Sequence, residues 1–480
     1  MKIRRAKITR VSGLLTREVT LNLLDELMPR LRQLFCGPAD NAVPDVTHSD
    51  SSSAALPDSP GIRQFTFSML RRDAGKLLDW LSAQPLFPKF YWLHRDGSEE
   101  VAALGQVRVF NRPDAVSEFL QAQSEPLRVW GGTAFDGLQA RSHGCLSGWF
   151  FLPRFELRQT TKGAWLTINL HSHTSLREDG LQAWQQLCQL VASSALNLPD
   201  VTVEQARHAP DKAGWFALIR KSLAAIEARE FDKVVLARKT TLTLDKPVAP
   251  AELLAASRRV NHRCFHFMLA LDDSHGFVGS SPERLFRRSG QTLYTEALAG
   301  TVSRTGDDIQ DHQLAQWLLS DKKNQHENLL VVEDICSRLS GHVDNLDVLP
   351  AEVLALRKVQ HLRRRITAQL RQADDAQCLT WLHPTAAVAG LPREPARRFI
   401  HEHEPFERGW YAGSVGHISR ERAEFTVAIR SALIQQNQVH LFAGAGIVPG
   451  SDPEAEWQEI ERKAAGLRTL LEPDYVNKCL

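Results

Sequence analysis

The sequence lacks several features that would mark a membrane, secreted or nucleic-acid-binding protein. No apolar run reaches the ~18 residues that span a bilayer. Lysine and arginine together number 58, and aspartate and glutamate number 56. The net charge of +2 therefore produces no overall electrostatic attraction to nucleic acid or to a membrane surface. The seven cysteines are scattered without a CxxC pair, which argues against a disulfide framework or a zinc site. We expect reduced thiols and a cytoplasmic location.

The first 60 residues differ in composition from the rest of the chain. Several cations precede the first acid, Glu18, and no apolar core of a secretory signal is present. A loose extension and a cleaved transit peptide both fit this pattern. A leucine-rich helix pattern interrupted at Pro29 follows, and residues 37–60 have too little apolar content to pack. We predict an N-terminal extension and flexible linker over 1–60 and one catalytic domain over 61–480.

Strand and helix patterns alternate through this domain and predict an α/β (α+β) fold. Hairpin turns are predicted at Asp96-Gly97 and Lys162-Gly163. Further strands are predicted at 233–242, 264–271, 276–287, 425–434 and 438–443. Helices are predicted near 182–191 and at 212–230, 308–320, 324–340 and 453–471. The absence of a second linker favours one large unit.

The stretch "AGAGIVPGSDPEAEWQEIERK" combines glycines with acidic residues. Gly444 and Gly446 before a helix suggest backbone amides that hold an anion. Ser451 and Glu454 have the spacing of a capping box, and Pro453 suits the first helical turn. The glutamates could be an ordinary solvated face or could hold a cation.

A second acidic helix favours the cation. In "DKKNQHENLLVVEDI", Glu327 and Asp334 share a face with apolar neighbours, where an unpaired carboxylate is costly. One glutamate from each helix, completed by water and a ligand carboxylate, would suit Mg2+. The predicted ligand is therefore an anion that touches both the glycine segment and a metal.

Three other segments contain candidate chemical groups. Lys233 begins a buried strand, where a lysine is more often an edge residue. Glu283 lies in the small-residue stretch "GFVGSSPERLF". Arg430 follows small residues in "EFTVAIRSAL", where a guanidinium could hold a carboxylate.

Taken together and in order, these segments resemble the chorismate-utilising enzymes. The motifs are "KVVLAR", "GSSPERL", "EALAGT", "KNQHEN", "HPTAAVAGLPR", "YAGSVG", "AIRSA" and "GAGIVPGSDPEAEWQEIERKAAGL", and they cover about residues 210–470. The resemblance implies a single large domain of two packed antiparallel sheets with helices outside. It implies chorismate, a small dicarboxylate, as the substrate.

The same resemblance implies roles for individual residues. Lys233 would be the base that activates water, and Glu283 the acid that protonates the departing hydroxyl. Glu327 and Glu459 would hold Mg2+, with Glu456 reaching it through water. Relatives often have a further acid, an outer metal ligand, where this chain has Asn324. The implied substrate-binding residues are Leu298, Ala299, Gly300, Thr301, His383, Tyr411, Arg430, Gly444, Ala445, Gly446 and Lys463.

The departures from other members select the reaction. The segment Ala297–Thr301 lacks the nucleophilic lysine of the aminodeoxychorismate synthases, and "VEDICSRL" replaces a run typical of amidotransferase-dependent relatives. The resemblance thus implies water addition at C2 that forms isochorismate, for menaquinone biosynthesis, without an amidotransferase subunit, nucleic acid or membrane. A salicylate synthase, a siderophore-pathway enzyme and a non-catalytic subunit stay open, as do monomer and homodimer. Leu298 either shapes the nucleophile's pocket or is an ordinary core residue.

Overall fold

The computed structural model describes residues 27–37, 56–69, 76–137 and 148–472. The predicted linker falls mostly outside these residues. The helices are α1 Met28–Cys36, α2 Lys76–Ala83, α3 Pro113–Gln121, α4 Leu176–Cys188, α5 Lys212–Glu227, α6 Pro250–Val260, α7 Asp308–Ser320, α8 Lys322–Leu339, α9 Asp375–Leu382, α10 Arg393–His403 and α11 Pro453–Arg468. A short 3-10 helix, Thr469–Leu471, follows α11.

The strands alternate with these helices along the chain. They are β1 Gly61–Met69, β2 Lys89–Leu93, β3 Glu99–Phe110, β4 Arg128–Thr133, β5 Gly148–Thr160, β6 Gly163–Ser172, β7 Val203–Ala209, β8 Lys233–Leu244, β9 Phe265–Ala270, β10 His275–Ser281, β11 Arg284–Ser289, β12 Thr292–Ser303, β13 Val343–Val348, β14 Glu352–Ala355, β15 Val359–Leu370, β16 Gly390–Leu391, β17 Ser414–Ser419, β18 Arg422–Val427, β19 Ser431–Gln435 and β20 Gln438–Ile447. Both predicted hairpins are present, as β2–β3 and β5–β6.

All strand pairings are antiparallel, and the network divides at β5 into two arms. The first arm runs β1-β6-β5-β3-β2-β9-β10-β19-β20-β8-β7. The second runs β5-β4-β17-β18-β11-β12-β15, with β13 and β14 both on β15. One core cluster contains Val234 and Ala445 of the first arm with Phe286 and Phe425 of the second. The expected pair of packed antiparallel sheets is therefore confirmed, with the two layers joined through β5.

Two strands that the sequence predicted as continuous are broken in the structure. The segment 276–287 divides into β10 and β11, and the segment 425–434 divides into β18 and β19. At each break the chain passes from one arm to the other, because β10 and β19 pair in the first arm and β11 and β18 pair in the second. Glu283 lies in the first crossing and Arg430 in the second. The backbones of the two crossings bond to each other, since Val427 N donates to Glu283 O at 3.1 Å and Ser280 N to Arg430 O at 3.0 Å.

Within the N-terminal segment, the described residues 27–37 include the helix α1. Pro29 stands in the first turn of α1 and so begins that helix instead of interrupting it. Leu31 and Phe35 of α1 are buried in a core cluster shared with α4 and with β5 and β6. Part of the predicted extension therefore packs on the body. No helix in the described ranges is long and apolar enough to cross a membrane.

The start of α11 differs in detail from the prediction. Pro453 occupies its first turn, as expected, but the N-cap is Asp452, whose carboxylate accepts from Ala455 N. Ser451 instead accepts from Val448 N at 3.2 Å. The N-cap is therefore one residue later than predicted and the predicted capping box is wrong, because Asp452 caps the helix and the residue three positions after it is Ala455, which has no carboxylate to complete a box.

Candidate active site

A cavity of about 660 Å³ lies where the two arms face each other. Its wall draws on widely separated parts of the chain: the crossings that hold Glu283 and Arg430, strands β12, β15 and β20, and helices α8 and α11. A concave site with several convergent polar groups is typical of small-molecule binding. Most of the candidate residues from the sequence meet here, and they are Glu283, Leu298, Ala299, Gly300, Thr301, Glu327, Tyr411, Arg430, Gly444, Gly446, Glu459 and Lys463.

Glu283 is a buried acid in the cavity wall. Only 2% of its surface is exposed. Burial, and then the nearby Glu296 carboxylate, raise the pKa of Glu283 to about 8, although Lys233 opposes the shift. The Thr385 hydroxyl also lies beside this carboxyl group. At neutral pH Glu283 therefore holds a proton that it can donate.

Lys233 begins β8 and is fully buried. Its Nζ lies 3.1 Å from Glu327 Oε1. Lys233 is not itself part of the cavity lining but reaches its edge behind Gly446, where an added Cβ would lie 3.0 Å from Lys233 Cε. The ammonium group is thus held at the rim of the cavity by an ion pair.

The glycine segment is strand and not the loop that the sequence suggested. Gly444, Ala445 and Gly446 lie within β20 and pair with Ala237, Leu236 and Val235 of β8. The prediction of a helix-terminal amide loop is therefore wrong for these glycines, since α11 begins only at Pro453.

The two glycines instead make room. A Cβ on Gly446 would lie 2.7 Å from Glu327 Oε1, and one on Gly444 would lie 2.8 Å from the Tyr411 hydroxyl oxygen. Strand alternation turns the Ala445 side chain away from both, into the core. Ala445, which the sequence analysis placed among the substrate-binding residues, is therefore not part of the cavity lining.

Two carboxylates from different helices enter the cavity, as the sequence predicted. Glu327 comes from α8 and Glu459 from α11. Glu459 Oε1 accepts from Lys463 Nζ at 2.6 Å. Burial raises the pKa of Glu459, but Lys463, Arg462 and Arg430 together lower it below its ordinary value. Asp334, which the sequence analysis placed on one helix face with Glu327, does not line the cavity. Its Oδ1 accepts from Arg338 Nε at 2.6 Å.

Glu456 of α11 is buried and does not line the cavity. Burial, and then repulsion from Glu459, raise its pKa to about 7. No cluster of three or more histidine, cysteine, aspartate or glutamate side chains with metal-binding geometry occurs in the described part of the chain. Two oxygen donors in one cavity still suit Mg2+, which typically takes one or two protein carboxylates and completes its shell with water and ligand.

A cationic wall faces the same cavity. Arg430 has a left-handed backbone, φ 51°, at its crossing, and its Nη1 donates to Lys463 O at 3.3 Å. Lys463 Nζ donates to Gly444 O at 2.9 Å. Tyr411 stacks on Phe442 with ring centroids 5.0 Å apart, and burial raises its pKa to about 12. These donors can hold the carboxylates of an anionic ligand.

The histidine of this wall is His361 and not His383. His383 Nε2 bonds to the carbonyl oxygens of Ala134 and Phe135, each at 3.2 Å, and His383 is outside the cavity lining. His383 is therefore not part of this cavity, and its predicted position near the substrate stays a prediction. His361 lines the cavity because β12–β15 pairing places it opposite Thr301.

His361 joins two other candidate residues. Its Nε2 lies 3.2 Å from Arg430 Nη2 and its Nδ1 lies 2.9 Å from Thr301 Oγ1. An arginine can only donate, so Nε2 accepts and Nδ1 carries the proton. Burial, and then the charges of Arg430 and Lys463, lower the pKa of His361 well below its ordinary value. A neutral His361 therefore orients both Arg430 and Thr301.

A bulge in β12 presents Leu298, Ala299, Gly300 and Thr301 to the cavity. The β12–β15 register shifts between Leu298 and Thr301, and Gly300 has φ 85°. Two asparagines of α8 fix this bulge. Asn328 Nδ2 donates to Ala297 O and Ala299 O, and Asn324 Oδ1 accepts from Thr301 N at 2.9 Å. Helix α8 thus sets the position of the bulge as well as that of Glu327.

Comparison with known proteins places this geometry in a family. A family model described as "Chorismate binding enzyme" matches residues 52–472. The chain belongs to this family of chorismate-binding enzymes.

The most similar proteins share one name. The chain is 50% identical over 422 residues to isochorismate synthase MenF of Escherichia coli, covering 88% of this chain and 96% of that protein. It is 42% identical over 401 residues to the MenF of Pasteurella multocida, covering 82% and 90%. The solved structure of the menaquinone-specific isochorismate synthase from Escherichia coli superposes with a TM-score of 0.84 at 48% identity, covering 94% of this chain and 99% of that one.

Proposed function

We propose that this protein is an isochorismate synthase that converts chorismate to isochorismate for menaquinone biosynthesis. The observation that carries the proposal is the buried Glu283, protonated at neutral pH, in one cavity with the carboxylate-binding Arg430 and Lys463 and next to the amine of Lys233. Family membership and the relatives named MenF support the same reaction.

The reaction exchanges one hydroxyl position for another. Lys233 takes a proton from a water molecule as the water oxygen bonds to C2 of the ring. Both conjugated ring double bonds shift by one position, from C1=C2 and C5=C6 to C1=C6 and C4=C5, as the C4–O bond breaks and the hydroxyl leaves as water with the proton of Glu283. The base role requires that the Lys233 amine leave its ion pair with Glu327 and be neutral when it accepts the proton.

The remaining residues bind and orient. Arg430, Tyr411 and Lys463 hold the carboxylates, and Gly444 and Gly446 leave space for the ring to approach β20. Glu327 and Glu459 would hold Mg2+, which when bound would supply positive charge to a substrate carboxylate, and Glu456 would reach the metal through water. The bulge at Ala299 presents no amine, which leaves water as the nucleophile.

The test is product analysis with the purified chain. Incubation with chorismate and Mg2+, without any partner protein, should give isochorismate as the stable product on chromatography. Omission of Mg2+ should abolish turnover. Salicylate with pyruvate as products would replace the proposal by a salicylate synthase, and no turnover would favour a non-catalytic subunit.

A further inference from the structure

A second cavity, which we call the basic cavity, lies beside the candidate active site. It has a volume of about 450 Å³ and lies among the end of α6, the turn between β14 and β15, and the last turns of α11. Six of its lining residues are basic, and none of the described residues that line it is an acid. The basic ones are His262, Arg357, Lys358, Arg430, Arg462 and Lys463.

This charge composition differs from that of the whole molecule. The chain has 58 lysines and arginines and 56 acids, so an average concave surface would carry both signs. Three of the basic residues, His262, Lys358 and Arg462, are exposed at the mouth. A low-dielectric concavity lined by one sign of charge concentrates counter-ions of the other sign.

The basic cavity shares a wall with the active-site cavity. Arg430 and Lys463 line both. The guanidinium of Arg430 is fixed from two sides, by the Lys463 carbonyl at 3.3 Å and by His361 at 3.2 Å. An anion in the basic cavity is therefore already next to the two cations that bind substrate carboxylates.

The uncharged part of the lining indicates an organic anion. Leu356, Val359 and Leu467 contribute apolar surface. Burial raises the pKa of Cys264 to about 12, so its thiol stays neutral and does not repel an anion. A small carboxylate with an apolar body fits this lining better than a bare inorganic ion.

We propose that the basic cavity is an antechamber in which the carboxylate substrate binds before it passes Arg430 and Lys463 into the active site. The proposal rests on the proposed function for the identity of that substrate. It assigns a role in substrate capture to Lys358 and Arg462, which do not line the active-site cavity.

The kinetic test reverses one charge at the mouth. Lys358→Glu should lower kcat/KM for chorismate about fivefold at low ionic strength and leave kcat unchanged, and ~0.5 M salt should remove most of the difference. The matched control is Lys162→Glu, which makes the same charge change at the exposed turn of the β5–β6 hairpin, outside both cavities. Equal kcat/KM for the two variants at every salt concentration would overturn the proposal.

A binding test detects the second site directly. In the Lys233→Ala protein, which should bind chorismate without converting it, calorimetric titration should show two chorismate molecules per chain. Lys358→Glu added to that variant should remove the weaker one. A single site in both proteins would overturn the antechamber, as would occupation of the basic cavity by inorganic phosphate but not by chorismate.

The two proposals fail in different ways. If the wild-type chain does not convert chorismate, the proposed function is wrong whatever Lys358 does, and the antechamber falls with it. If the wild-type chain forms isochorismate but the variants at Lys358 and Lys162 behave alike, the function stands and only the antechamber is wrong.

Discussion

The raised pKa of Glu283 predicts that this acid lowers the stability of the fold at alkaline pH. In the folded protein Glu283 keeps its proton up to about pH 8, whereas in the unfolded chain it loses the proton near its ordinary pKa of 4.5. Between these values the folded state binds more protons than the unfolded state, so stability falls as pH rises from about 4.5 to about 8 and is then constant. In Glu283→Gln the side chain has no titratable proton, so this pH dependence of the stability disappears.

The size of the effect follows from the two pKa values. At about 1.4 kcal/mol for each pH unit, the interval from 4.5 to about 8 corresponds to about 5 kcal/mol. Compared with wild type, Glu283→Gln should therefore gain about 1 kcal/mol at pH 5 and about 5 kcal/mol at pH 8.5, while its turnover is lost. Urea unfolding of both proteins without Mg2+ or chorismate, at several pH values between 5 and 8.5, measures this difference.

Glu424 supplies a control with the opposite sign. It is buried as Glu283 is, but its hydrogen bond to His94 and the charge of Arg284 outweigh burial and lower its pKa to about 2. Its stabilising contribution is present above the unfolded pKa and is lost as pH falls toward 2. Glu424→Gln should therefore lower stability by about 3 kcal/mol at pH 7. The reasoning would be refuted if Glu283→Gln were no more stable than wild type at pH 8.5, or if its gain did not grow with pH.

Three further substitutions test the remaining roles. Lys233→Ala should reduce turnover at least 100-fold while chorismate still binds, because the carboxylate contacts lie elsewhere; near-wild-type turnover would remove Lys233 as the base. Glu459→Gln should raise the Mg2+ concentration needed for half-maximal rate at least tenfold, and an unchanged requirement would show that the metal site is misplaced. Leu298 both lines the cavity and packs with Leu354, Leu356 and Val359, so Leu298→Ala should cost about 2 kcal/mol by thermal unfolding. With high ammonium, an aminated product would show that Leu298 shapes the nucleophile's pocket, and isochorismate alone would leave it as packing.

Local patterns predicted elements well where the residues that decide them are neighbours in sequence. The turns at Asp96-Gly97 and Lys162-Gly163 close their hairpins as expected, and α7 has the predicted bounds of 308–320. Helices α8 and α11 begin within two residues of their predictions. Glu327 of α8 and Glu459 of α11 also meet in one cavity, because each helix turns the face that carries this glutamate toward the cavity.

Errors occurred where the outcome depends on pairing between distant strands. His361 reaches the cavity only because β15 pairs with β12 in a register that sets it opposite Thr301, and nothing near His361 in the sequence signals this. His383 lies within a family-like motif, but its Nε2 bonds to the backbone carbonyl oxygens of Ala134 and Phe135 and the residue stays outside the cavity. Gly444 and Gly446 precede a helix in the sequence, which favours a helix-terminal anion site, whereas they are strand positions at which the Tyr411 hydroxyl and Glu327 come close to the backbone.

The broken strands explain why the site forms where it does. A residue inside a sheet has its backbone committed to a ladder, so its side chain is limited to two directions. Glu283 and Arg430 do not have this restriction, because each lies between two strands at a point where the chain crosses from one arm of the sheet to the other. Backbone bonds between the two crossings, from Val427 to Glu283 and from Ser280 to Arg430, fix these crossings to each other before any ligand binds. The acid and the carboxylate-binding cation are thus positioned by the sheets, whereas Glu327 and Glu459 depend on how α8 and α11 pack.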